Sequence, residues 1–234
     1  MSATESHPIG TQESASSSTA SVTEENLLNL LKSRDLPAAV IEALCRDHRA
    51  LLAKGRKLRM AIVEHPRTPR HLALPMLRQL FTFDLMQVAL APAVASDLRI
   101  AAEELLIHRL ETISAGERTT LARRASGRVA GALLLDGDER VTRAALENGR
   151  LTESLLVKAL MAVSCPVTLI DAVCRHPKWQ LRREVRIAVL LSAKTHPTDA
   201  LRIAKALPPR VVRQTLSDSH LPEAVKLKIR QEIA

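Results

Sequence analysis

The sequence predicts an all-α protein, an α-solenoid of short stacked helices. Three observations lead there: the make-up of the apolar residues, a recurring helix–stop–helix pattern, and the prolines that punctuate it. Apolar residues make up 46% of the 234, yet only two Phe, one Trp and no Tyr are among them. The core must therefore be built from Leu, Ala, Val and Ile. Such residues suit close-packed helices, whereas sheets draw on β-branched and aromatic side chains and on turns rich in Gly or Asn. With seven Gly among long Leu/Ala/Arg/Glu runs, essentially no strand is expected.

In chain order, residues 1–23 come first, rich in Ser, Thr, Glu and Ala. They hold too few large apolar groups to offset the entropy of ordering, so a disordered tail is predicted. Thr23 followed by Glu24, Glu25 and Asn26 reads as an N-cap with acids in the first turn, where the helix dipole favours them. A single helical repeat domain is expected over residues 24–234.

From residue 36 a pattern recurs: an apolar residue, a small residue three later, a short polar stop, then a second amphipathic helix. One copy runs Leu58, Ala61, Ile62 to His65-Pro66, with Leu72 and Leu74 beyond. A second runs Val141, Ala144, Ala145 to Asn148-Gly149, with Leu151, Leu155 and Leu156 beyond. A third runs Leu169, Ala172, Val173 to His176-Pro177, with Leu181 and Val185 beyond. A looser fourth runs Val189, Ala193 to His196-Pro197, with Leu201 and Ile203 beyond. Val211 and Leu216 followed by Asp218 to His220, then Leu221 and Val225, read as the cap of the stack.

Proline at 66, 177 and 197 lacks an amide donor and disfavours helical geometry in the residue before it. Each helix must end there, and a new one can begin with Pro in its first turn. Each helix has an apolar stripe only about two turns long, too little to be stable alone, so stacking is obligatory. The markers His65, Asn148, His176, His196 and Asp218 are spaced unevenly, by 83, 28, 20 and 22 residues. The first gap has room for two further degenerate units, at Leu85 to Pro92 and Thr119 to Gly131.

The segments Ile113 to Leu156 (ISAGERTTLARRASGRVAGALLLDGDERVTRAALENGRLTESLL) and His176 to Leu207 (HPKWQLRREVRIAVLLSAKTHPTDALRIAKAL) carry a resemblance. They resemble bacterial HEAT-like and leucine-rich-repeat-variant helical proteins over most of residues 36 to 225. That resemblance implies a repeat architecture serving as a binding surface. The variant family can carry a cysteine cluster for an iron-sulfur centre; no CxxC exists here, and no cofactor is expected. Some HEAT-like proteins of similar length are DNA glycosylases with a basic concave face. This chain is similar in size and charge, but it lacks their aromatics and no catalytic motif can be matched.

Other chemistry is weakly supported. Cys45, Cys165 and Cys174 are an odd number in a chain too long to need disulfides, which fits a reducing compartment. Their spacing to each other and to His48 and His176 does not suit zinc, so buried thiols are expected. His65, His176 and His196 recur at helix stops, where His complements the dipole and bonds free carbonyls. Glu103 and Glu104 are adjacent and point about 100° apart on a helix, a poor geometry for one substrate. Asp136 to Glu139 reads as a turn with acids at a helix start. There is no Gly-rich phosphate loop, GxSxG or HExxH, and a non-enzymatic protein is expected. The N-terminus has no basic and apolar leader, and the longest apolar run, Ile187 to Leu191, is far too short to span a bilayer. A cytoplasmic protein is expected.

Charge is the one feature that points to a ligand class. Net charge is +9, but residues 1 to 26 hold four acids and no Lys or Arg. The remaining body therefore has 34 basic against 21 acidic residues, and residues 175 to 234 alone have thirteen against five. Such an excess attracts polyanions, acidic protein surfaces or anionic lipid. Lys178, Arg182, Arg183 and Arg186 are predicted on neighbouring turns of one helix, with Glu184 available for a local pair. Arg123, Arg124 and Arg128 do the same earlier. With Arg140, Arg143, Arg202 and Lys205 nearby, these form a candidate stripe if equivalent helices line one surface. Trp179, the one large ring in the region, is expected to pack between repeats, which disfavours base stacking. The leading expectation is a binding scaffold for a protein partner, an acidic one in particular. Nucleic acid held by backbone contacts is the alternative, and a base-excision enzyme the third.

Overall fold

The computed structural model describes residues 23–233, so the predicted tail lies outside the described residues apart from Thr23. These residues form sixteen α-helices and one 3-10 turn, with no strand among them. The helices are α1 (Glu24–Leu31), α2 (Ala38–Asp47), α3 (Arg49–Lys54), α4 (Arg56–Glu64), α5 (Arg70–Arg78), α6 (Thr82–Leu90), α7 (Ser96–Arg109) and α8 (Ala115–Arg124). They continue as α9 (Gly127–Leu133), α10 (Glu139–Leu146), α11 (Glu153–Leu160), α12 (Val167–Arg175), α13 (Arg183–Leu191), α14 (Pro197–Lys205), α15 (Pro209–Asp218) and α16 (Glu223–Glu232). The 3-10 turn, Trp179–Leu181, lies between α12 and α13. None of these helices is long and apolar enough to cross a membrane.

Local chemistry sets the helix starts. Thr23 accepts the Asn26 amide at 3.4 Å, as the sequence predicts. Ser114 and Glu117 form a reciprocal capping box on α8, and Ser126, Asp138 and Thr152 cap α9, α10 and α11. Each satisfies amides that the first turn leaves without an intrahelical acceptor. Proline acts differently at different stops. Pro197 and Pro209 open α14 and α15, as expected, while Pro37, Pro69, Pro166 and Pro222 hold the N-cap position itself. Pro66 and Pro177 do neither. They sit in turns held by their preceding histidines, whose Nδ1 atoms accept the amides of Arg67 and Lys178 at 3.2 Å.

From α4 onward most helices pack on the helix two further along the chain: α4 on α6, α5 on α7, α7 on α9, α8 on α10, α9 on α11, α10 on α12, α11 on α13, α13 on α15 and α14 on α16. Two layers result, one of even-numbered and one of odd-numbered helices, with the core between them. Leu85, Leu106, Leu121, Leu133, Leu156, Leu169, Val189 and Leu216 are all buried there, in one continuous cluster from Val63 to Ile229. Aliphatic side chains fill it almost alone, joined by Trp179, Cys165 and Cys174. Ahead of it, Leu27, Leu31, Ile41, Leu44, Leu52, Leu58 and Ile62 form a second cluster, and Met76 packs against both.

Side chains at the helix stops tie each repeat to the one before. The last carbonyls of a helix have no intrahelical donor; here a later element supplies it. His65 donates from Nε2 to Ser33 O at 2.9 Å, Asn148 Nδ2 to Ala122 O and Ala125 O at 2.8 and 3.1 Å, and Trp179 Nε1 to Leu146 O at 2.9 Å. Arg109 reaches Leu80 O, Arg202 reaches Cys174 O, and Ser219 reaches Leu190 O. These bonds join residues 23 to 33 apart, about one helix pair. Of the stop histidines only His65 bonds a free carbonyl, and that carbonyl lies in the preceding repeat; His176 instead accepts the amides of Lys178 and Trp179 and faces Glu147 at 3.2 Å. His196 caps the start of α14 by accepting the Thr198 amide.

The uneven marker spacing follows from the two layers. His65, Asn148 and His176 follow the even helices α4, α10 and α12, at one edge of the stack. His196 and Asp218 to His220 follow the odd helices α13 and α15, at the opposite edge. The sequence pattern merges two series of stops into one.

Candidate functional site

The loops that lead from even to odd helices lie side by side. Residues 122–128 meet residues 146–152 through Asn148 and through Arg150, whose Nη1 donates to Arg124 O at 3.3 Å. Residues 146–152 meet 175–183 through Trp179, and Arg186 holds 175–183 to 205–210 by donating to Gln180 O and Ala206 O at 2.7 and 3.0 Å. The approach is close. A Cβ added at Gly127 would lie 2.3 Å from Arg150 O, so a side chain there has no room.

These four loops and the helix starts they lead into carry Arg123, Arg124, Arg128, Arg150, Arg175, Lys178, Arg182, Arg183, Lys205 and Arg210, against three carboxylates, Glu147, Glu153 and Glu184. Ten of the chain's 34 basic residues therefore gather along this loop edge and not on one helix face. Seven of the eleven cations predicted from sequence belong to it: Arg123, Arg124, Arg128, Lys178, Arg182, Arg183 and Lys205. Arg150, Arg175 and Arg210 were not anticipated, because each stands alone in sequence and joins the others only through the stacking of loops.

Two expected groupings are not formed. Lys178, Arg182, Arg183 and Arg186 do not share one helix, because Pro177 forces a turn and Arg182 adopts an extended conformation (φ −78°, ψ 130°) between the 3-10 turn and α13. Arg123 and Arg124 end α8 while Arg128 begins α9, the break falling at Ala125 and Ser126. Glu184 is exposed and forms no pair with a neighbouring Arg among the described residues.

Many of the predicted cations are already engaged. Arg128 lies 3.1 Å from Glu104 and 3.8 Å from Glu103, so the adjacent carboxylates share one guanidinium reaching over from α9. Lys205 pairs with Glu232 at 2.6 Å. Arg140 pairs with Asp138, Arg143 with Glu139 and Arg202 with Asp199, and these three lie on the edge's far side or on the even layer. Lys178 Nζ lies 4.1 Å over the ring of Trp179, which is itself buried between repeats, as expected. Arg123, Arg124, Arg175, Arg182, Arg183 and Arg210 are the edge cations with neither an ion pair, a side-chain hydrogen bond nor a ring contact among the described residues; Arg150 and Lys178 also lack an ion pair, but are engaged by the Arg124 carbonyl and the Trp179 ring. Beside Arg182, Leu181 is 66% exposed, an apolar side chain set among charges.

The remaining candidates have structural roles. Cys45, Cys165 and Cys174 are buried free thiols. Burial pushes all three upward, Cys174 to about 11 with the nearby Asp199 adding to the rise, so little thiolate is present near neutral pH. Asp136 pairs with Arg118 at 2.8 Å and accepts the Asp138 amide, a turn leading into α10. No family model, no curated protein and no solved structure matches this chain.

Proposed function

We propose that the protein is a non-enzymatic binding scaffold whose even-to-odd loop edge holds an acidic protein partner. The observation that carries this reading is the row of unpaired arginines, Arg123, Arg124, Arg175, Arg182, Arg183 and Arg210, along loops locked to one another by hydrogen bonds. A rigid row of cations presents its charge without an ordering cost on binding. Leu181 favours a polypeptide over a phosphate backbone, since it offers an apolar anchor where no exposed ring is available for base stacking. Arg outranks Lys on this edge, which suits planar, bidentate grip on carboxylates.

The test compares the wild type with an R124E/R182E/R183E variant and with a V163D control on the opposite edge. An acidic leucine-containing peptide should bind the wild type and the control, with affinity falling as salt rises, and should lose at least about tenfold on charge reversal. A gel shift of duplex or single-stranded nucleic acid that vanishes in the triple variant, with no peptide binding, would replace the protein partner by nucleic acid. Release of bases from alkylated DNA would overturn the non-enzymatic reading.

A further inference from the structure

The N-terminal cluster contains a charged group that the basic edge does not explain. Arg59 of α4 is about nine-tenths buried. Its Nη1 donates to Leu52 O and Ala53 O at 2.7 and 2.8 Å, the closing carbonyls of α3. Its Nε has no acceptor in the protein. The side-on Nε–Nη2 edge is the one that grips a carboxylate or phosphate in parallel. Three residues earlier on the same helix, Arg56 uses that edge on Asp84, at 2.8 and 2.6 Å. The chain thus provides a carboxylate for one guanidinium of α4 and none for the other, although the second is the more buried.

Arg59 forms part of the wall of a cavity of about 370 Å³ between α2, α3, α4 and α5. Arg46 and Arg49 stand on its exposed rim, and Leu52, Leu72 and Met76 supply an apolar wall. Glu42, the one carboxylate lining the cavity, is directed to His71 at 3.8 Å and to none of the three arginines. A buried cation without a counter-charge is costly unless something supplies one. Volume and lining match those of small-molecule sites, which combine an apolar wall with a few convergent polar groups.

We infer that this cavity is a binding site for a small organic oxyanion, a carboxylate or phosphate ester on a compact apolar body. The oxyanion is held by the Nη2 end of Arg59, whose Nε is itself covered, and flanked by Arg46 and Arg49, and the body lies against Leu72 and Met76. The site is separate from the loop edge and uses none of its residues.

Calorimetric titration of the full chain at fixed ionic strength tests it, with benzoate, phenyl phosphate and inorganic phosphate as probes. Saturable one-to-one binding of benzoate or phenyl phosphate is expected, and the stronger of the two identifies the oxyanion. Inorganic phosphate, lacking the apolar body, should bind at least about tenfold more weakly. R46Q/R49Q, altered only at the exposed rim and so able to fold, should weaken binding by about tenfold or more. R59K, which keeps the charge but loses the planar guanidinium and its Nη2 donor, should do the same. R123Q/R124Q on the loop edge should bind as the wild type does. Absence of saturation with all three probes, or unchanged binding in R46Q/R49Q, would overturn the site. Inorganic phosphate binding as tightly as phenyl phosphate would overturn its organic character.

Discussion

The two edges of the stack are formed by the same helices and differ in charge. At the odd-to-even edge, acids lead the even helices: Glu117 in α8, Asp138 and Glu139 at α10, Asp199 in α14 and Glu223 in α16. Every one sits in a first turn, where helix dipole and free amides favour it, and the cations there answer local groups, as Arg118 does Asp136. At the even-to-odd edge the cations fall into two kinds. Arg123, Arg124, Arg175 and Lys205 close even helices, where the dipole favours positive charge. Arg182, Arg183 and Arg210 open odd helices, where it does not. The first kind is explained by helix chemistry alone. The second, opposed by about 0.3–1 kcal/mol each, is the part that calls for a binding partner.

The largest effects should come from breaking the ladder that aligns the basic loops. Trp179→Ala removes a buried ring and the donor to Leu146 O, and should cost about 3–5 kcal/mol. Asn148→Ala strips the carbonyls of Ala122 and Ala125 of their buried donor and should cost about 2–4 kcal/mol. Denaturant unfolding checks both. Trp179→Phe should fall well short of the Ala variant, since the hydrogen bond and one ring's worth of packing are lost but a buried aromatic ring is kept; equal losses would show that the ladder bond, not the retained ring, dominates.

How far these features were legible in the sequence varies by feature. The all-helical class was legible because aliphatic periodicity is local. The function of the stops was half legible: His65, Asn148 and Trp179 were marked, but the carbonyls they serve lie a repeat earlier, and no local pattern encodes that. Arg182 and Arg183 stood out as a run. Arg150 and Arg210 did not, since a single arginine joins a charged edge only when loops some thirty residues apart stack together. Arg59 was invisible, because an Arg in an RKLRMAIVE helix reads as an exposed charge until the fold covers it with α3 and α5.

A smaller effect separates binding from stability at the basic edge. Arg183→Glu places a carboxylate in the first turn of α13, beside the dipole's positive end, and should raise stability by about 0.5 kcal/mol. The same change, combined with Arg182→Glu, should abolish capture of the acidic peptide. A melt that rises while binding falls would mark these arginines as placed for a ligand. A melt that falls would instead assign them a structural role.

The smallest effect distinguishes the edges by pH. Hydrogen bonds from the Ser114 backbone and hydroxyl hold the Glu117 carboxyl below its usual range, Arg140 does so for Asp138, and Lys226 for Glu223. Lowered in the folded state, these groups contribute stability above their unfolded values, near pH 4, and lose it as pH falls through the folded ones. All three belong to the odd-to-even edge, Glu223 exposed and Glu117 and Asp138 partly so, and the contribution of each is small. In melts taken from neutral pH downward, E117Q/D138N should lower the plateau slightly and flatten the fall below about pH 4. R182Q/R183Q should leave the shape of that limb unchanged, because neither arginine pairs with a carboxylate and the carboxyl held low beside the basic edge, Glu232, is held by Lys205. If the two double variants flatten the limb equally, the separation of roles between the edges fails.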